Sequence, residues 1–160
     1  MNEFEYERIF SFNKMSKKYK IELTKVIKFL LSKQRVIEAK HHFTELEKIN
    51  PNHKVVMELG FDIGIKTFDR EMVFKYHDLL EECKGYNKHD LLLKRIVYWL
   101  SINAKNNADS DVKILLDDVS LDNVRLIYLY NIIHRELNEE HLIIKANDVL
   151  KKRNLRVVKG

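Results

Sequence analysis

Seven histidines and one cysteine are the side chains of this 160-residue sequence with the most chemistry to offer, and their spacing decides whether they can act together. His41 and His42 are neighbours in the chain, so on a helix they project about 100° apart, a poor arrangement for joint ligation. No H-E-x-x-H pattern, no cysteine pair and no calcium-loop pattern occurs, so no metal site is expected. The acidic pairs Glu81-Glu82 and Asp117-Asp118 read as solvated helix faces rather than as a general acid with its base. No glycine-rich phosphate loop is present. Gly60-x3-Gly64 sits inside an amphipathic stripe, where it is expected to let two helices pack closely. Cys83 shares the apolar side of a helical pattern with Tyr76, Leu79 and Leu80 and reads as a buried core thiol. With no serine or cysteine beside an arguable base, the expectation is a protein that is not an enzyme and needs no cofactor.

The elements that would carry these residues are helices. Hydrophobic residues make up 45% of the chain and charged ones 33%, with only 4 Gly and 1 Pro to break regular structure. Apolar residues recur at steps of three and four along nearly the whole length, as in Leu23, Val26, Ile27 and Leu30, then Val36, Ala39, Phe43, Leu46 and Ile49. Asn52, Asp69 and Asn87 read as N-terminal caps and Gly85 as a C-terminal stop. "NAKNNADS", residues 103–110, reads as a loop, followed by a short helical piece at 114–116 and a long helix over 120–137. A last helix is expected to start at Asn138, Glu139 and Glu140.

The net charge of +5 is confined to one end. Residues 151–160 hold five of the 29 Lys and Arg (Lys151, Lys152, Arg153, Arg156 and Lys159) and none of the 24 acids, which leaves the rest of the chain neutral. A balanced body does not build the broad positive field that drives phosphate binding, so nucleic acid is the second choice of partner, contacted through those five residues. The longest apolar runs, such as "LIYLYNII" at 126–133, fall short of the ~20 residues that cross a bilayer, so no membrane span is expected. "MNEFEYERIF" lacks the basic flank and apolar core of a secretion signal, which points to the cytoplasm.

Ala39-x3-Phe43, Leu46 and Pro51, within "EAKHHFTELEKINPNH", resemble the second half of a tetratricopeptide repeat, whose pattern ends in A-x3-F and then P over about 34 residues. A small Ala lets two helices approach, the aromatic fills the gap between pairs, and Pro ends one pair so that the next can begin. The same shift carries Leu23 to Met57 and Leu91, Leu30 to Gly64 and Tyr98, Ala39 to Val73, and Leu46 to Leu80. Three positions depart from the pattern: Ile27 and Arg95 stand where a small residue is expected, and His77 replaces Phe43.

The resemblance implies an all-α fold, a right-handed stack of antiparallel helix pairs forming an α-α superhelix of about seven or eight helices. It implies one repeat domain over residues 1–153, with repeats at 20–53 and 54–87, a degenerate third at 88–119, a C-terminal pair at 120–153 and a basic tail at 154–160. It also implies an adaptor or scaffold whose concave groove, lined by the first helix of each pair, binds a peptide or helix of another protein. The groove positions would be Thr24, Lys28 and Leu31, then Glu58, Asp62 and Ile65, then Leu92, Ile96 and Trp99, with Trp99 as anchor. Short stacks leave apolar ends, so a homo-oligomer is a further expectation, with residues 155–158 packed against such an end.

Overall fold

The computed structural model describes residues 16–156. Among them eight helices form and no strand: α1 (Lys17–Ser32), α2 (Val36–Ile49), α3 (Lys54–Thr67), α4 (Arg70–Glu82), α5 (Lys88–Ser101), α6 (Lys105–Asp117), α7 (Asn123–Ile132) and α8 (Glu140–Lys152). A π-helical segment, Ile133–Leu137, continues α7.

Several starts follow from a side-chain oxygen that satisfies an unpaired N–H of the first turn. Ser16 accepts from Tyr19 N at 3.0 Å, Asp69 from Met72 N at 3.1 Å, Asn87 from His89 N at 2.8 Å, and Asp122 from Arg125 N at 2.9 Å. At α3 the expected cap is displaced by one residue. His53 Nδ1, rather than Asn52, accepts from Val55 N at 3.3 Å. α4 stops earlier than Gly85 suggests: it ends at Glu82, and Gly85 (φ 81) lies in the turn that follows. Cys83 is therefore a half-buried helix-end residue with Sγ 3.7 Å from the Lys84 carbonyl, and not part of the core.

The contacts divide the chain into two compact units, Met1–Tyr86 and Asn87–Gly160. In the first unit consecutive helices pack pairwise, α1 on α2, α2 on α3 and, most closely, α3 on α4. Tyr19, Leu23, Val26, Ile27 and Leu30 of α1 meet Ala39, Phe43 and Leu46 of α2 as fully buried faces. Closeness between α3 and α4 rests on glycine, as its spacing predicts. A Cβ on Gly60 would lie 2.4 Å from the Tyr76 ring, and one on Gly64 would lie 3.0 Å from the Val73 backbone nitrogen. Tyr76 packs edge to face on Phe43, and its hydroxyl donates to Glu47, which also pairs with Lys75. Lys40 adds a 2.9 Å ion pair to Asp69, tying α2 to the start of α4.

Burial pushes the Tyr76 phenol well above its usual range, reinforced by the Glu47 carboxylate. Burial, with Glu45 beside it, pushes Tyr19 up to about 12. The unfolded chain gives up these protons near pH 10 while the fold retains them, so their contribution to stability is complete below that point. We expect stability to fall as pH rises from about 10 through about 12. Circular dichroism followed beside phenolate absorbance checks this: ionisation of both tyrosines near pH 10 with helicity intact would refute it.

The second unit is built from α5 on α6, α6 on α8, and the π segment on α8. Its core includes Ile96, Ala108, Val112, Leu115, Leu126, Leu129, Ile133, Leu142 and Ala146. Here the loop expected at 103–110 is a correction. Only Asn103, in left-handed backbone at φ 59, and Ala104 make the turn, and α6 starts at Lys105. The polar residues Asn106, Asn107 and Ser110 stay exposed while Ala108 and Val112 are fully buried, so a polar stretch becomes the outer face of an amphipathic helix.

Candidate functional site

Lys28 and Leu31 on α1 meet Val55, Glu58, Leu59, Asp62 and Lys66 on α3 around a concavity of about 280 Å³ in the first unit. On α3 these positions follow steps of three and four, so they form one stripe along the helix. The remaining faces of α3 are buried through Val56, Met57, Phe61 and Ile63, which makes this wall a fixed one. Leu59 is buried and Leu31 and Val55 half-buried, while Lys28 and Lys66 are exposed and Glu58 and Asp62 half-buried. The result is an apolar floor beneath charged groups of both signs.

Four of the residues named from the sequence, Lys28, Leu31, Glu58 and Asp62, thus share one concavity. Thr24 and Ile65 do not line it; Thr24 is half-buried and its hydroxyl donates to the Lys20 carbonyl at 2.8 Å. Val55, Leu59 and Lys66 also line it and lie outside the positions that repeat equivalence marks as groove-lining. Following the α3 stripe from Asp62 in both directions would have found them.

In the second unit the proposed groove positions point to packing. Ile96 is fully buried in the core, so it presents no surface to a partner, and Leu92 and Trp99 pack half-buried against that core. Trp99 Nε1 donates to Asp111 Oδ2 at 2.9 Å. Asp111 is itself buried and holds Arg95 by two bonds, from Nε at 2.7 Å and Nη2 at 2.6 Å. Trp99 is therefore a member of an Arg–Asp–Trp cluster joining α5 to α6, not a free anchor. Arg95 departs from the repeat pattern for the same reason: the position carries a cation that Asp111 requires.

A Ser/His/Asp grouping does occur. His89 Nε2 lies 2.8 Å from Asp118 Oδ2 and 3.5 Å from Ser120 Oγ, while Ser120 Oγ donates to Asp118 Oδ1 at 2.6 Å. Nucleophilic catalysis needs the serine and the carboxylate on opposite nitrogens of the ring. Here both address Nε2 and the serine proton goes to the carboxylate. With Ser120 N also donating to Asp118 Oδ1 at 2.9 Å, the group is a side-chain-closed turn after α6. The Ser120 hydroxyl, followed by His89, holds the Asp118 carboxyl down at about 2. Asp117 pairs with Lys145 at 2.7 Å, so neither acid of this pair is merely solvated.

His77, Asp78 and Glu81 of α4 bring their donor atoms within 4.8 Å of one another. His77 is buried against Phe61, and the two acids are exposed, an arrangement common on helices that hold no ion. Arg125 forks onto Asp90 at 2.7 and 2.8 Å and reaches Asp122 at 2.6 Å; its guanidinium holds the Asp90 carboxyl below the ordinary range.

Of the basic residues named near the C-terminal end, Lys151, Lys152 and Arg156 are exposed. Arg153 is drawn inward, donating to the carbonyls of Leu121 and, at 3.4 Å, Val119. Leu155 packs half-buried against the core of its own unit. Lys159 lies outside the described residues, as do 157 and 158. Among the described residues no helix is long and apolar enough to cross a membrane. Comparison with protein-family models, with curated proteins and with solved structures finds no match to this chain.

Proposed function

We propose that this protein is a non-catalytic adaptor of tetratricopeptide-like build that holds a peptide or helix of another protein in the α1/α3 concavity. The observation that supports this reading is the meeting of Lys28 and Leu31 with Glu58 and Asp62, named from separate stretches of sequence, around one apolar floor. That floor takes an apolar side chain, and a rim of both signs selects a segment in which charges of both signs flank it. Pairwise packing of consecutive helices in this unit is the arrangement on which such a groove depends.

The test is panning of a random peptide library on wild type and on Leu31→Glu. Selected peptides should share an apolar anchor flanked by charge and bind Leu31→Glu at least about tenfold more weakly, with helicity unchanged. Peptides that bind both proteins equally, or that protect other residues in amide exchange, would refute the assignment.

A further inference from the structure

The turn that ends α8 builds a second concavity of different chemistry. Asn154 adopts left-handed backbone at φ 54, a conformation that asparagine tolerates better than most residues. The chain then folds back: Asn154 N donates to the Lys151 carbonyl at 3.0 Å and Leu155 N to the Leu150 carbonyl at 2.9 Å. This return brings Arg156 to the side of α8 that carries Asn147 and Lys151. Together with Tyr130 of α7, and with Leu150 and Leu155 as apolar wall, they surround about 440 Å³.

Three features point to a ligand. The lining holds two cations, two amides and a phenol, and no carboxylate. Arg95, Arg125 and Arg153 are all committed to partners within the second unit, whereas Lys151, Arg156, Asn147, Asn154 and the Tyr130 hydroxyl make no side-chain hydrogen bond or ion pair with another described residue. One lining residue, Tyr130, also adjoins the π-helical segment that continues α7, its ring 4.2 Å from that of His134. Such widened turns recur at functional sites. Lys151 and Lys152 also offset the partial negative charge of the helix end, which would otherwise repel an anion.

We propose that this concavity binds the phosphate of a small phosphorylated molecule. Lys151 and Arg156 neutralise the oxyanion, Asn147, Asn154 and Tyr130 donate to its oxygens, and Leu150 and Leu155 cover the less polar body. An excess of donors around two unopposed cations suits a doubly charged oxyanion better than a single carboxylate. The volume exceeds that of phosphate alone and falls in the range of small-molecule sites. This is a discrete site and not a stretch of basic tail, because Arg153 faces inward and Lys152 is not part of the lining.

The experiment is a titration of the ¹⁵N-labelled full chain with AMP, inorganic phosphate, citrate and a single-stranded oligonucleotide. AMP should shift the side-chain amides of Asn147 and Asn154 saturably. Lys151→Ala with Arg156→Ala should weaken it about tenfold or more, and Lys152→Ala less than about twofold. Tyr130→Phe, which keeps the ring, should weaken it severalfold with the spectrum otherwise unchanged. Absence of saturation would overturn the proposal, as would equal losses in Lys152→Ala and the pocket variants, or citrate binding as tightly as AMP. Inorganic phosphate binding as tightly as AMP would overturn the role of the two leucines. Oligonucleotide binding that depends on Lys152 and vanishes with salt, without any AMP site, would replace the pocket by a basic tail.

Discussion

Alanine at Gly60 is expected to destabilise the fold by about 3 kcal/mol, a large effect for one methyl group. The added carbon would lie 2.4 Å from Tyr76 Cε2 and 2.6 Å from two further ring atoms. The ring has nowhere to retreat, since Phe43 stands edge-on at a centroid distance of 5.7 Å and Glu47 holds the hydroxyl. Alanine's better helix propensity returns only about 1 kcal/mol. Urea melts of Gly60→Ala alone and with Tyr76→Leu separate the causes. The double variant should recover most of the loss attributable to the clash, as a coupling energy between the two sites. A Gly60→Ala protein as stable as wild type would mean that α3 and α4 do not approach as closely as described. Gly64 offers less relief still, because its nearest neighbour is the Val73 backbone nitrogen, which moves only if the helices part.

The second large effect is expected at Asp111. Replacing it with alanine should cost about 3–5 kcal/mol, because the Arg95 guanidinium and the Trp99 indole lose their shared acceptor in a largely dry site. Asp111→Asn, which keeps one acceptor oxygen, should cost less. The pair Arg95→Met with Asp111→Leu should recover much of the loss, as apolar replacements of buried ion pairs do. Trp99 is the only tryptophan in the chain, so its fluorescence reports unfolding of the second unit directly. An unchanged fluorescence melt for Asp111→Ala would show the cluster to be incidental.

The features that could be read from sequence are those written in local spacing. Asp69 and Asn87 cap helices because a short acceptor precedes a periodic apolar run, and Gly60-x3-Gly64 declares a close approach because one helix face lacks side chains there. Lys28 and Leu31 could be matched with Glu58 and Asp62 because the repeat-like shift relates α1 to α3. What could not be read depends on partners distant in sequence. Polar residues at 105–110 gave no sign that Ala108 and Val112 would find a core contributed by α7 and α8. Trp99 reads as an anchor in the sequence because its acceptor, Asp111, lies on α6, between the stretch that reads as a loop and the short helical piece after it. Arg153 looked like one charge among five because the carbonyls it satisfies belong to residues 119 and 121.

That clamp of Arg153 has a consequence in time. In the first unit the main packing is of each helix on its immediate successor, and the contacts that skip a helix, Lys40 to Asp69 and Glu47 to Tyr76, join helix to helix rather than closing a turn. The turn between α6 and α7 is instead fastened by a side chain 32 to 34 residues further along. Ordering so long a loop before its reward arrives slows a folding step. In a refolding reaction, the 118–122 turn should therefore gain its amide protection only as α8 docks, and not when α6 forms.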